Sequence, residues 1–445
     1  MWGLSTSAPA PHPTTWTIEP AGPLHGDVTV RGSKNAVTKH MVGAVLGRGP
    51  STVLNCPEIG EVQTVARILQ ALGCEVDADG DRVTVDPAGL STNRVPLSYG
   101  GLNRIPILLV GPLLHRTGEA FVPLVGGDRI GARPVDFHVQ ALEAMGAEVT
   151  HTSDGLEAKA LRLHGARITL PYPSVGATET VLLSAVLAEG RTVLDNSATE
   201  PEVIELALFL QRMGARLELR PDRRFVIEGV ESLTGATHSL AGDRMEAFSY
   251  LSAGLATGGR VTVHGCAQDR LVTAISTLHR MGARFEITDD YVAAEADGPL
   301  LPSVVQTDTH PGFMTDWQSP LVTLFTQCDG MSVLHETVYE GRFPYVRALQ
   351  EMGAEIALYD SCLGGKTCRF NESTAMHSAV VRGVSALHGA EITVPDIRGG
   401  FAYVIAAAAA EGTTLLRDVH HLERGYHRPL EAFADLGLGI TRSTG

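Results

Sequence analysis

The sequence predicts a mixed α/β fold, α+β in its local pairing, made of six copies of one small unit and divided into two domains. Three observations lead there. A helix-ending phrase of the form Leu-x-x-Met/Leu-Gly-Ala starts at Leu69 (where Cys74 replaces the alanine), Leu142, Leu210, Leu278 and Leu349, and more loosely at Phe433. Its glycines, Gly73, Gly146, Gly214, Gly282, Gly353 and Gly437, fall where a helix C-terminus favours a left-handed residue. A second apolar, helix-like run is stopped by Gly49, Gly118, Gly190, Gly259, Gly330 and Gly412 and gives way to a β-branched stretch such as Arg191-Thr192-Val193-Leu194. Finally, 445 residues exceed what one compact core organises. The repeat of about 70 residues is longer than a solenoid turn, so each copy is a subdomain with two helices and several strands.

In chain order, Val28–Arg31 reads as a strand, and Gly32-Ser33-Lys34-Asn35 opens the first helix. Glu75-Val76-Asp77-Ala78 after the first repeat glycine, and Arg284-Phe285-Glu286-Ile287 after the fourth, alternate as strands do. Val135, Val139, Leu142 and Met145 mark a helix in the second unit. The third unit gives a strand over Ile168–Pro173, a turn and helix start over Ser174–Thr178, and a helix over Thr180–Glu189. Six such units can close one ring or form two bodies of three. Turn composition over Gly235–Leu240 favours two bodies, with a ligand cleft between them.

Composition narrows the function. A net charge of −15 argues against general nucleic-acid binding, so any anionic ligand needs a local cluster of Arg and Lys. No apolar run is long enough to span a membrane. Met1–Thr15 has no basic start and no apolar stretch, and is expected to be a disordered tail of a cytoplasmic protein. Six cysteines are scattered as reduced thiols would be. The close pair Cys362 and Cys368 is read as part of a glycine-rich hairpin loop, because no second pair or nearby His cluster completes a set of four ligands; no metal is expected.

Charged groups gather at helix starts. In Gly126-Gly127-Asp128-Arg129-Ile130-Gly131-Ala132-Arg133 an acid sits on a glycine turn, with two arginines just ahead of a helix whose N–H groups favour an anion. Lys34 opens the first helix in the same way, and Arg104 interrupts an apolar segment, where a guanidinium must face a cleft or a carboxylate. Asp316 precedes an apolar helix, while Arg342, Arg398 and Arg424 each stand where a strand-like run becomes helix-like. Taken singly, these are N-caps, a solvated lysine and salt-bridge arginines; collected at equivalent ends of repeats, they make a cationic pocket.

With these motifs in their order (Gly-Ser-Lys-Asn, Gly-Gly-Asp-Arg-Ile-Gly-Ala-Arg-Pro-Val-Asp, Ser-Val-Gly-Ala-Thr-Glu, Pro-Gly-Phe-Met-Thr-Asp-Trp-Gln and Glu-Arg-Gly-Tyr), the chain from about Trp16 to about Ile440 resembles the enolpyruvyl transferases, on their sugar-nucleotide branch. The resemblance implies a two-domain inside-out α/β barrel of six βαβαββ repeats, three per domain, with helices inside and sheets outside. One domain would span 34–238 and carry the glycine loop; the other would combine 16–33 with 239–445, leaving 1–15 as the tail. It also implies transfer of the enolpyruvyl group of phosphoenolpyruvate to the 3-hydroxyl of UDP-N-acetylglucosamine, with no cofactor and with oligomeric state open.

Carried over by motif, the catalytic set would be Asp128, Asp316, Lys34 and Arg424. Phosphoenolpyruvate would meet Lys34, Arg104, Arg133, Arg398 and Arg424. The sugar nucleotide would meet Asn35, Arg104, Arg133, Pro134, Val135, Asp136, Phe137, Ser174, Val175, Gly176, Asp316 and Val338, with Glu200, Glu340, Arg342 and Asp396 in support. Asp128 would supply a proton and Asp316 remove one. The departure is Asp128 itself, since the family more often has cysteine there, and this predicts insensitivity to alkylation by fosfomycin. Uridine monophosphate is an alternative acceptor, and a non-catalytic sugar-nucleotide-binding paralogue is the reading from another class. A shikimate-phosphate acceptor is disfavoured by the Gly-Gly-Asp and Ser-Val-Gly-Ala-Thr stretches.

Overall fold

The computed structural model describes residues 14–128 and 130–444. The chain divides into two compact units. Among the described residues, one comprises Gly32–Asp128 and Arg133–Leu240, and the other residues 14–31, 130–132 and 241–444. Each has its own hydrophobic core.

The third repeat shows the βαβαββ plan most plainly. Strand Arg167–Thr169 leads to helix Val175–Ala185, strand Arg191–Asp195, helix Pro201–Arg212, and the hairpin Arg216–Arg220 with Arg224–Glu228. The first two strands pair in parallel and the others antiparallel. Its helix begins at Val175, within the expected turn and helix start Ser174–Thr178, because Ser174 caps it: the Ser174 hydroxyl accepts the Ala177 N–H at 3.3 Å. Its first strand is correspondingly short, since Pro171 and Pro173 cannot donate to a ladder.

All six repeat glycines, from Gly73 to Gly437, have φ between +90° and +107°. The helix-ending phrase therefore works as a C-terminal stop in every copy. The second set is less uniform. Gly118, Gly190, Gly330 and Gly412 are left-handed, Gly258 takes that place in the fourth repeat, and Gly49 does not.

Among the described residues the strands form six separate sheets, five of four strands and one of three, and none closes into a hydrogen-bonded barrel. The barrel of the expectation is therefore not a strand ring. The helices lie inside: every residue of Arg244–Ala256 and of Gln318–Phe325 is buried, as are most of Lys34–Ala44 and Val175–Ala185. Strands cover them with one wet face, as in Glu75–Asp79, where Glu75, Asp77 and Asp79 point to water.

Two strands are placed against chain order. His25–Thr29, which ends two residues before the expected Arg31, pairs in parallel with Arg260–His264 of the fourth repeat. Thr237–Ser239 pairs in parallel with Ser51–Leu54 of the first. Each strand thus completes the sheet of the repeat whose helix it does not precede. Thr14 and Thr15, assigned by sequence to the tail, open strand Thr14–Ile18, which lies between Thr414–Arg417 and the C-terminal Ile440–Thr444; residues 1–13 lie outside the described ones. Among the described residues no helix is long and apolar enough to cross a membrane.

The first unit's core is tightly ringed. Phe209 is fully buried, with the His40 ring 4.9 Å and the His238 ring 5.9 Å away. Burial pulls His40 down to about 4, so it packs as a neutral aromatic. Phe209→Ala should cost about 3–5 kcal/mol, read as a fall in the denaturant midpoint; an unchanged midpoint would contradict this packing.

Candidate active site

In the first unit the sequence-selected residues sit at the N-terminal ends of buried helices. Lys34 is the first residue of Lys34–Ala44 and is half-buried; Ser33 is its N-cap, and the Ser33 hydroxyl accepts the Asn35 N–H at 3.2 Å. Arg104 precedes the turn Ile105–Leu109 that runs into helix Val110–Thr117. Asn103 supports that turn, its Oδ1 accepting the Ile105 N–H at 3.0 Å. Ser174, Val175 and Gly176 form the half-buried start of the third such helix. Cationic side chains near free helix N–H groups suit an anion.

The glycine loop lies between strand Glu119–Pro123 and helix Asp136–Ala144. Its glycines are required by close approaches as much as by conformation. A Cβ on Gly126 would lie 1.8 Å from the Gly101 carbonyl oxygen. One on Gly127, at φ +109°, would meet Arg104 Cγ and Arg133 Nη1, each at 3.5 Å, so both arginines border the loop. Arg133 Nη1 donates to the Asp128 carbonyl at 3.5 Å, and Arg133 itself is left-handed at φ +42°. Asp128 is partly exposed; Pro134 and Asp136 are exposed, and Val135 and Phe137 are half-buried at the helix start.

His138 is a residue that reading for charge passed over. It is buried, its Nδ1 lies 2.7 Å from the Thr180 hydroxyl, and a Cβ on Gly176 would come within 3.0 Å of its ring. Burial, with the Arg104 charge adding to it, pulls its pKa down to about 3. A neutral imidazole thus packs against Gly176. The available signal was a polar residue on the apolar face of Val135, Val139 and Leu142.

Deeper in the same unit, Glu179 is buried one turn beyond Gly176. Lys39 approaches at 4.0 Å, and Oε1 has no hydrogen-bond partner. Burial raises its pKa to about 7; Lys39 opposes the shift, and the carboxylates of Glu202 and Glu200 add to it.

In the second unit Asp316 lies in the turn Thr315–Trp317 ahead of helix Gln318–Phe325. It does not cap that helix: Trp317 occupies the cap position with no side-chain bond. Arg342 Nη2, almost fully buried, instead donates to Asp316 Oδ1 at 2.5 Å. Beside them is Glu336, fully buried and absent from the sequence-based selection. It accepts hydrogen bonds from the Thr307 and Thr315 hydroxyls at 2.9 Å, and from the backbone N–H of Val338 at 2.7 Å and of Tyr339 at 3.1 Å. Burial raises its pKa, and Arg342 works against that rise.

Glu340 accepts the Ala132 N–H at 2.7 Å. Asp396 Oδ1 accepts the Gly399 N–H at 2.8 Å in the first turn of helix Ile397–Ala408. Arg398 belongs to the same turn, but its side chain lies outside the described residues. Arg424 follows helix His420–Glu423 and is half-buried. Glu200 opens helix Pro201–Arg212 in the first unit.

The Cys362–Cys368 loop corrects the sequence reading. His335 and His377 stand beside the two thiols, so a His cluster is present where none was expected. The antiparallel pairing of Gly330–His335 with Ser378–Gly383 brings the two histidines together across the sheet.

Residues 18–433 match the family model described as EPSP synthase (3-phosphoshikimate 1-carboxyvinyltransferase). The UDP-N-acetylglucosamine 1-carboxyvinyltransferase of Protochlamydia amoebophila is 42% identical, covering 94% of this chain and 92% of its own. The protein of the same name from Chlamydia pneumoniae is 41% identical, covering 94% and 93%. Among solved structures, the enolpyruvyl transferase NikO from Streptomyces tendae matches with a TM-score of 0.85 at 26% identity, over 98% of this chain and 100% of that one. EPSP synthase from Acinetobacter baumannii matches at 0.73 and 17%, over 97% and 100%, a likeness of fold.

Glu179 gives a pH test. In the fold it stays protonated up to about 7, against an ordinary glutamate value of 4.5. The native state therefore binds the extra proton, and stability falls as pH rises through that window. Glu179→Gln should remove this loss, so that variant stability gains on wild type by roughly 2–3 kcal/mol between pH 5 and pH 8. Parallel unfolding curves at the two pH values would contradict it.

Proposed function

The chain belongs to the EPSP synthase family, and from that premise we propose that it transfers the enolpyruvyl group of phosphoenolpyruvate to the 3-hydroxyl of UDP-N-acetylglucosamine, releasing phosphate. The observation that carries this reading is an identity of 42% and 41%, along nearly the whole chain, with relatives named for that transfer. The side chains support it through their chemistry. An enol phosphate reacts with an alcohol once its methylene carbon is protonated, which makes the adjoining carbon an electrophile. The reaction then needs an acid, a base and cations for the phosphate.

In this reading Asp128, where relatives of this kind more often carry cysteine, gives its proton to the methylene carbon. The sugar 3-oxygen bonds to the cationic carbon while Asp316 takes the hydroxyl proton. The adduct then returns a proton from its new methyl group to the Asp128 carboxylate as the carbon–oxygen bond breaks and its electron pair leaves with phosphate. Lys34, Arg133 and Arg424, with Arg104 and Arg398, hold the phosphate and carboxylate charge. Arg342 orients Asp316, and the contact at 2.5 Å supports that role. Asn35, Pro134–Phe137, Ser174–Gly176 and Val338 hold the sugar nucleotide. The division into two compact units supports a two-domain enzyme, and the protein works in the cytoplasm.

The test is phosphate release from phosphoenolpyruvate by the purified protein with UDP-N-acetylglucosamine or uridine monophosphate as acceptor. Release with the sugar nucleotide is expected, falling at least about 100-fold in Asp128→Ala and in Asp316→Asn. Release only with the mononucleotide would reassign the acceptor, and silence with both would point to a non-catalytic binding protein.

A carboxylate is a far weaker nucleophile than a thiolate. Incubation with fosfomycin should therefore leave the intact mass unchanged and activity undiminished. A stoichiometric adduct on Asp128 would overturn its assignment as an unreactive acid.

A further inference from the structure

Strands Glu355–Tyr359 and Ser378–Gly383 are antiparallel neighbours, yet residues 360–377 connect them. Hairpin connections usually take about 2–5 residues, so a long irregular one needs something to hold it. Its own sequence supplies Cys362, Cys368 and His377, and the end of the adjacent strand Gly330–His335 supplies His335. One ligating atom from each of the four lies within 4.8 Å of the other three.

The separations are those of a coordination shell. A tetrahedral zinc with bonds of about 2.3 Å to sulfur and about 2.0–2.1 Å to nitrogen has edges of about 3.8 Å between sulfurs and about 3.6 Å between sulfur and nitrogen. Cys362 Sγ is 3.6 Å from Cys368 Sγ and 3.5 Å from His377 Nε2. The cysteines are free, and the separation of their sulfurs is far beyond a disulfide bond.

The surroundings orient each ligand. His377 Nδ1 is 2.8 Å from the Ala375 carbonyl, which can only accept, so the ring proton is on Nδ1 and the lone pair on Nε2. His335 Nδ1 faces Gln306 Oε1 at 3.3 Å, an oxygen that also accepts the Lys366 N–H at 3.1 Å. That leaves His335 Nε2 fully buried with no hydrogen-bond partner. The Cys368 N–H donates to Cys362 Sγ at 3.4 Å, and the Phe370 N–H to Cys368 Sγ at 3.3 Å, as backbone amides do for metal-bound thiolates. Gly364 is close-packed here: a Cβ would lie 2.3 Å from His335 Nδ1.

We propose that Cys362, Cys368, His335 and His377 form a tetrahedral zinc(II) site that fastens the 360–377 loop to the end of strand Gly330–His335. Binding expels the two thiol protons, and two thiolates neutralise the ion. The set is closed, with four protein ligands and no place for substrate, so its role is structural. Its effect extends along the loop: Arg369, next to Cys368, donates from Nη2 to the Val338 carbonyl. The metal thus fixes a contact to the segment that carries Glu340 and Arg342.

The experiment is the zinc content of the full chain, purified without chelator or affinity tag from zinc-supplemented cells. About one zinc per chain is expected in wild type, and less than a tenth of that in C362S/C368S. Cobalt(II) exchanged into wild type should give the intense visible bands of a tetrahedral site and a thiolate charge-transfer band. Removing zinc from wild type with a chelator should lower the melting temperature by about 5 °C or more, reversed by zinc alone. The proposal fails if wild type holds no zinc, if the double variant keeps its zinc, if cobalt gives a weak octahedral spectrum, or if thiol counting finds Cys362 and Cys368 joined as a disulfide. Should the variant not fold, the cobalt and chelator measurements on wild type decide. None of these readouts depends on enzyme activity, so failure here leaves the transfer reaction untouched, and the reverse.

Discussion

A helix enclosed along its whole length can meet a ligand only at its ends. Every residue of Arg244–Ala256 and of Gln318–Phe325 is buried, and nearly all of Val175–Ala185. Their flanks are committed to packing, so the chain's polar chemistry collects at the helix starts. Those starts already carry unpaired N–H donors and a positive field, worth about 0.3–1 kcal/mol to a nearby anion. Some are closed by a cap, as at Ser33, Ser174 and Asp243. The residues just inside or beside a cap, Lys34, Asn35 and Val175, do not serve as the cap and carry the motif. At Gln318–Phe325 no side chain caps the helix, and Asp316 is taken by Arg342 instead.

Two buried glutamates show how differently one fold can treat the same group. Glu336 accepts from two hydroxyls and two backbone N–H groups, and the Gln318 amide adds a longer contact at 3.4 Å. A carboxylate so surrounded can stay buried and serve as a fixed anchor for Thr315, next to Asp316, and for the backbone that leads to Arg342. Glu179 has one lysine at 4.0 Å and two acidic neighbours, and its pKa rises to about 7 in consequence. The first is a positioning device, and the second lowers stability above neutral pH.

What the sequence made legible follows from what repeats locally. The helix-stop glycines recur because each copy needs a left-handed residue at one place, and they mark all six units. The helix-start motifs were legible because charge in an apolar context is conspicuous. The parallel partners of His25–Thr29 and Thr237–Ser239 were not, since pairing between distant strands leaves no mark in either strand's own alternation. His138 and Glu336 were hidden for a related reason: each is polar inside an apolar stretch, and only its packed neighbours show whether it is satisfied. The histidines beside Cys362 and Cys368 were missed because His335 reaches them through sheet register and not through spacing.

That register also explains why so much converges on residues 336–342. Strand Gly330–His335 keeps its partner for one more residue, the Glu336 N–H donating to the His377 carbonyl at 2.7 Å and the Thr337 N–H to the Thr307 hydroxyl at 2.8 Å, after which the backbone turns to side-chain acceptors. Glu336 supplies the missing acceptors, taking the Val338 and Tyr339 N–H groups itself. The next acceptor, the Val338 carbonyl, goes to Arg369. Glu340 and Gly341 then engage residues 130–132: Glu340 accepts the Ala132 N–H, and Gly341 N–H donates to the Ile130 carbonyl at 3.1 Å. Position 131 requires glycine, because φ is +144° and a Cβ would lie 2.5 Å from the Glu340 carboxylate. A stretch without regular secondary structure is thus held by side-chain carboxylates in place of strand partners. It can present Arg342 to Asp316 at a fixed distance because Glu336, Val338, Tyr339, Glu340 and Gly341 are already held by hydrogen bonds.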